Sequence, residues 1–266
     1  MVHVGIDMHK SVSQIEVMDD EGSVLDQRRL SHQSPEQLKK YFCQYGGEGV
    51  ATLEATRNWY WMYELLEGCG LSVKLAHPLK VKLIAESRIK TDKIDAHVLA
   101  QLERTGFLPQ SYIPSREVRD QREQLRYRLC LVKIRSGITN RVHALLDKLG
   151  IAHPFSDLFG KSGRRFLELL ELREVYRREL DGYLALLSHL DQSIKAVEQS
   201  IRQSLKNDSR ADLLMTVPGI SHLTAYLLLS EIGEITRFKS DKHLCSYAGL
   251  VPSLHQSGSR RYQGHL

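Results

Sequence analysis

At 266 residues, with 42% apolar side chains, the chain is long enough for about two domains with real hydrophobic cores, which excludes the disordered and fibrous classes. Lys and Arg number 37 against 32 Asp and Glu, a net charge of +5 that favours a polyanionic partner without requiring one. The N-terminus MVHVGIDMHK has no signal-peptide core, and no stretch approaches the roughly 18 apolar residues of a bilayer span, so membrane roles drop out and a cytoplasmic protein is expected.

In the opening segment Val2, Val4 and Ile6 alternate with His3, Gly5 and Asp7, the period-two pattern of a strand. VSQIEVMDDEGSVLDQRRL predicts two further strands around an acidic turn with glycine, completing a meander. A helix follows at SPEQLKKYFCQY, with Ser34 as N-cap, Pro35 at the first helical position and Gln37 closing a capping box. GVATLEA is then a strand, NWYWMYELLEGCG a helix, LSVKLAH a strand and PLKVKLIAE a helical start, and TDKIDAHVLAQLERTG is the last helix of this region. Trp59, Tyr60, Trp61 and Tyr63 can stack on bases, but core packing is the commoner use of such a cluster. His9 and Lys10 either contact phosphate or face water.

From about residue 115 strand signals stop. Residues 116 to 148 hold nine Arg or Lys (116, 119, 122, 126, 128, 133, 135, 141, 148) against four acids (117, 120, 123, 147), so one long helix carries most of the excess charge. Its apolar seam is read at Leu125, Leu129, Val132, Val142 and Leu149. A second long helix shows a heptad register at Leu180, Tyr183, Leu187, Leu190, Ile194, Val197 and Ile201, which an antiparallel partner or a second copy must cover. VPGISHLTAYLLLSEIG reads as helix, Pro-Gly turn, helix, either a phosphate-holding hairpin or a simple turn in a small core. Gln256 to Leu266 reads as a loop. The cysteines Cys43, Cys69, Cys130 and Cys245 lie far apart without a C-x-x-C pair, which suggests neither a zinc site nor a disulfide framework.

The β-β-β-α-β-α-β-α order resembles the succession of elements in the ribonuclease H-like fold, where the first and fourth strands are parallel neighbours. By that analogy Asp7 and Glu54 stand side by side, about 4.8 Å apart in backbone. The final helix would bring Asp92 and Asp95, which share one helical face at i,i+3. Four carboxylates within about 5 Å repel by roughly 3 kcal/mol per pair at an effective dielectric of 20. Divalent cations relieve this, and hard oxygen ligands select Mg²⁺ or Mn²⁺.

GIDMHK with Asp7, TLEAT with Glu54, KTDKIDA with Asp92 and Asp95, and later VPGI, AGLVPS and QSGS together resemble the DEDD-type transposases of the insertion-sequence family numbered one hundred and ten, and the related Piv-like inverting recombinases. The resemblance covers nearly the whole chain. It implies an α/β ribonuclease H-like (RuvC-like) metal domain over residues 1–110, a helical coiled-coil region over 111–207 that holds a homodimer or homotetramer, and a small, mostly helical transposase domain over 208–266. Family members continue past the serine motif with a basic stretch and a closing helix, so this last domain, stopping at Leu266, is expected to be cut short. The implied activity is DNA strand cleavage and rejoining through a serine nucleophile matched by Ser257, directed by a noncoding bridge RNA, in the nucleoid of a prokaryote. Ser253 and Ser259 lie close by, so the motif and not local chemistry selects Ser257, with His255 and His265 as candidate bases in its loop. Nucleic-acid contacts are expected at Lys10, Arg88, Lys90, Lys93, Arg119, Arg122, Arg126, Arg260 and Arg261. The rivals are a RuvC-like nuclease or junction resolvase that uses water, and a non-enzymatic nucleic-acid-binding protein.

Overall fold

The structure, a computed structural model, describes residues 1–56, 58–85 and 91–264. It comprises two compact units, Met1–Ile113 and Pro114–Leu266.

In the first unit β1 (Val2–Met8), β2 (Val12–Met18) and β3 (Val24–Ser31) form the antiparallel meander, and β4 (Gly49–Glu54) and β5 (Ser72–Ala76) add in parallel on the other side of β1. The order is β3-β2-β1-β4-β5, so β1 is central and covered on both faces. Its Val4, Ile6 and Met8 join a core with Phe42 of α1 (Pro35–Cys43), Leu53 of β4, and Met62 and Leu66 of α2 (Trp59–Gly68). The other face carries His3, Gly5 and Asp7 and meets α4 (Asp92–Arg104), while the short α3 (Pro78–Ile84) follows β5. Trp59 belongs to the first core, and Trp61 stands edge-on to His32 at 4.8 Å, so this aromatic cluster serves mainly packing.

Gly5 decides how closely α4 approaches. A Cβ at Gly5 would stand 2.7 Å from the Ala100 amide nitrogen and nearer still to the Ala96 carbonyl oxygen, so only glycine lets the helix lie on the central strand. Polar anchors pin α4 along its length. Buried Glu103 meets His3 and also accepts from Lys74 Nζ at 2.7 Å, and His97 meets the buried Glu16 of β2. At its start Thr91 Oγ1 accepts the Ile94 N–H at 3.3 Å, which fixes Asp92 and Asp95 in the first turn.

Two sequence expectations are corrected in this unit. Ser34 is the N-cap of α1, but its side chain accepts no hydrogen bond, so the capping box does not form; Pro35, which has no N–H to satisfy, starts the helix instead. Cys43 and Cys69 are joined in a disulfide although 26 positions apart, because the last residue of α1 meets the C-cap of α2. Spacing along the chain carries no trace of that convergence.

The second unit is dominated by α5 (Arg116–Lys148) and α7 (Glu174–Ser204). They run antiparallel, with Arg128 paired to Glu198 and Arg135 to Asp191, both at 2.6 Å. The heptad positions Leu180, Leu187, Leu190 and Ile201 are buried, the first two against Val142, Leu145, Leu146 and Leu167 of the short α6 (Lys161–Leu169). The seam of α5 lies at Leu131, Ile138, Val142, Leu145 and Leu146; Leu129, assigned to it from sequence, is 66% exposed. With apolar residues on more than one side of α5, sequence alone does not fix which stripe faces α7.

Next come α8 (Ser209–Met215), the Val217–Ile220 turn, α9 (His222–Ile232), a 3₁₀ turn (Ile235–Arg237) and α10 (Asp241–Tyr247). The Val217 and Ile220 amides donate to Leu214 and Val217 carbonyls, both at 3.1 Å, which favours the plain-turn reading of the Pro-Gly segment. The terminal stretch read as a loop is a hairpin, β6 (Leu254–Ser257) with β7 (Arg260–Gln263), reversed at Gly258 with φ +58°. Glycine at the first turn position is what a two-residue hairpin connection of this kind requires, and the polar composition hid it. Among the described residues no helix is long and apolar enough to cross a membrane.

Candidate functional site

The site forms where the C-terminal end of β1 meets the N-terminus of α4. Asp7 is the second-last residue of β1, and the turn after the strand returns His9 over it. His9 Nε2 lies 3.1 Å from Asp7 Oδ2 and 3.2 Å from Asp92 Oδ2, and the three ligand atoms fall within 4.8 Å of one another. Asp7 is the sheltered member, its side chain 16% exposed against 47% for His9 and 48% for Asp92. The helix N-terminus adds unsatisfied amide dipoles that favour negative charge here.

These residues fit a divalent cation. Ligands in neighbouring octahedral positions at about 2.1 Å from a metal stand roughly 3 Å apart, close to the 3.1 and 3.2 Å that separate His9 Nε2 from the two carboxylates. Two carboxylate oxygens and an imidazole nitrogen suit Mn²⁺ well, and Mg²⁺ through the oxygens.

Glu54 ends β4 one residue beyond Leu53, which pairs with Ile6, so the parallel register sets Glu54 beside Asp7 on the adjacent strand. Asp95 follows Asp92 by one turn of α4. Neither belongs to the 4.8 Å group among the described residues. His9 does, and the sequence left its role open between phosphate and water. The signal was its position two residues after Asp7, which sends both side chains to one side of an extended chain.

Lys10 and Lys93, next in sequence to His9 and Asp92, are exposed, whereas Arg88, Lys90 and His265 lie outside the described residues. On α5 two of the expected contact residues bond within their own unit. Arg119 is 5% exposed and donates to the Pro114 carbonyl at 3.3 Å. Arg122 donates to the Ser230 and Glu231 carbonyls at 2.9 and 3.1 Å, closing the last turn of α9. A guanidinium supplies five donors in a fixed fork, which is why these two satisfy backbone carbonyls of their own unit. Arg126 remains exposed, with Glu123 at 3.7 Å.

Ser257, Arg260 and Arg261 are exposed at the tip of the terminal hairpin. The register pairs Ser257 with Arg260 and His255 with Tyr262, so these four share one face while Arg261, paired with Gln256, takes the other.

The sequence matches two family profiles, a DEDD-type IS110 transposase over residues 4–151 and a transposase of the IS116/IS110/IS902 family over residues 211–266. It is 25% identical to the transposase of insertion sequence element IS1111A from Coxiella burnetii, across 97% of this chain and 70% of that protein. It is 26% identical to the transposase of IS1328 from Yersinia enterocolitica, across 97% and 75%. A pilin gene-inverting protein of Moraxella bovis is 43% identical over 76 residues, 27% of this chain and 24% of that one. With the first profile alone spanning more than half of its length, the chain belongs to the IS110 family of DEDD transposases.

Proposed function

We propose that this transposase cleaves and rejoins DNA strands with a divalent-metal cluster of Asp7, Glu54, Asp92 and Asp95 and a serine nucleophile, Ser257. The observation that carries the reading is the convergence of Asp7, His9 and Asp92 ligand atoms within 4.8 Å, with Glu54 next to Asp7 in register. The β3-β2-β1-β4-β5 order with β1 parallel to β4 supports a ribonuclease H-like first domain over residues 1–110. The antiparallel α5–α7 pair supports a helical connecting region over 111–207, and the second profile a transposase domain over 208–266.

A bound Mg²⁺ or Mn²⁺ would stabilise the charge that builds on the attacking and leaving oxygens of a phosphodiester. The chain's own residues prepare for this. Asp7, on the central strand of the sheet, sets the reference position; Gly5 and Thr91 hold the start of α4 against it, so Asp92 arrives at fixed distance. Asp95 and Glu54 complete the acidic rim. On the hairpin Ser257 Oγ attacks phosphorus, one P–O bond of the strand breaks, and the serine proton passes to a base. His255, two residues away on the same face, takes that part, while Arg260 across the strand neutralises the phosphate. The reading requires the serine and the acids to act on the same DNA in the assembled complex.

Recognition of the DNA target by a bridge RNA is part of the reading through the family resemblance, with exposed Arg126, Lys133 and Arg141 of α5 available to a phosphate backbone. Tyr127 and Ile134 on α5 are 51% and 47% exposed, which supports a homo-oligomer. The test is to trap protein on nicked DNA in Mg²⁺. The wild type should form a covalent adduct that Ser257→Ala loses and Ser253→Ala and Ser259→Ala keep. Metal-dependent nicking without any adduct would assign the protein to the water-using nucleases.

A further inference from the structure

The sheet carries one row of polar side chains that the acid cluster does not account for. In register across the strands, Asp7 of β1 pairs with Gln14 of β2, and Gln14 pairs with Arg29 of β3. Paired residues point to one face, here the face under α4, because the same ladder places Gly5 beneath Ala96 and Glu16 against His97. A groove of about 660 Å³ opens along this row, lined by Gln14, Gln27, Arg28 and Arg29 on the sheet and by Thr91, Asp92 and Lys93 at the start of α4. Gln14 is 5% exposed, and its amide makes no hydrogen bond among the described residues. The amide is not among the fully buried unpartnered groups of the described residues, so it opens on the groove, where an entering ligand can reach it. Arg29 is exposed and makes no ion pair among the described residues. Its neighbours Arg28 and Gln27 differ: Arg28 is held by Asp26 at 2.9 Å, and Gln27 by Glu16 at 2.8 Å.

We propose that Gln14, Arg29 and Lys93 form a backbone-phosphate track that leads a DNA strand to the acid cluster, Gln14 and Arg29 holding successive phosphates on one side of the scissile one. Two strand spacings of about 4.8 Å separate Asp7 from Arg29. That distance of roughly 10 Å spans about three stacked nucleotides at ~3.4 Å each. The ligand is an anion chain and not a base, since beside Asp92 of the acid cluster the groove offers cations and amides but no aromatic ring. The inference rests on reading the acid cluster as the cleavage centre, and the experiment separates the two.

Binding of a fluorescein-labelled 12-nucleotide single-stranded DNA to the full chain is followed by anisotropy in EDTA over a range of salt. Arg29→Ala should flatten the log–log salt slope by about 0.7, the value for one phosphate contact on a single strand. Gln14→Met, similar in shape and neutral, should lower affinity severalfold and leave the slope unchanged. Lys40→Ala, the same charge change on α1 across the sheet, should match the wild type. In parallel, Mn²⁺ binding read by electron paramagnetic resonance should be equal in wild type and Arg29→Ala. An Arg29→Ala slope equal to that of Lys40→Ala overturns the track. Absence of Mn²⁺ binding by the wild type removes the cleavage centre instead and leaves the anisotropy result standing.

Discussion

Substituting Gly5 by alanine tests whether the contact between β1 and α4 positions the site. The added Cβ would stand 2.7 Å from the Ala100 nitrogen. An ordinary approach of such atoms is about 3.4 Å, so α4 must retreat by about 0.7 Å, and further to clear the closer Ala96 oxygen. Overpacking of this kind costs roughly 1–3 kcal/mol, which leaves the domain folded if its stability is ordinary. Because Asp92 moves with α4 while Asp7 stays on the strand, the spacing in the ligand group opens by a similar amount. A misplacement near 1 Å costs up to roughly a hundredfold in rate. The assay pairs chemical denaturation with Mg²⁺-dependent nicking of plasmid DNA at saturating metal. The expected result is a modest loss of stability with a ten- to hundredfold loss of nicking. Wild-type stability together with wild-type nicking would refute the reasoning.

Asp7→Asn should abolish Mn²⁺ binding and nicking while holding or slightly raising the melting temperature, since a carboxylate repulsion is removed along with a ligand; calorimetry and metal titration check this. Arg122→Ala should destabilise the second unit by about 1–3 kcal/mol through the lost carbonyl bonds of α9, whereas Arg126→Glu should leave stability unchanged and weaken nucleic-acid binding; denaturation curves and anisotropy separate them. Reducing the Cys43–Cys69 disulfide opens a loop of 26 positions, worth up to about 3.5 kcal/mol by chain entropy. Urea unfolding with and without dithiothreitol reads that loss.

The first unit was largely legible in sequence because its signals are local. Alternation marks β1, the acidic Asp19 to Gly22 turn marks the β2–β3 hairpin, and Thr91 before Asp92 marks the start of α4. The features that escaped depend on where the chain returns. The Cys43–Cys69 pairing needs α1 and α2 to converge, and the burial of Arg119 and the anchoring of Arg122 need Pro114 and the end of α9 to sit beside α5. Charge counting treats every arginine on a helix alike, and packing does not. In the site, Asp7 and Asp92 were suggested by spacing and company, but His9 was left undecided and Gln14 and Arg29 were not singled out. Their meaning appears only once the register sets Asp7, Gln14 and Arg29 in one row.

The central claim is that Asp7 and Asp92, with Glu54 and Asp95, hold a divalent cation. Crystals of the full chain soaked in Mn²⁺ and recorded near the manganese absorption edge test it directly. The account predicts an anomalous peak at about 2.1 Å from carboxylate oxygens of both Asp7 and Asp92, lost in Asp7→Asn. An empty cluster in crystals that bind Mn²⁺ elsewhere, or a peak that persists unchanged in Asp7→Asn, would contradict it.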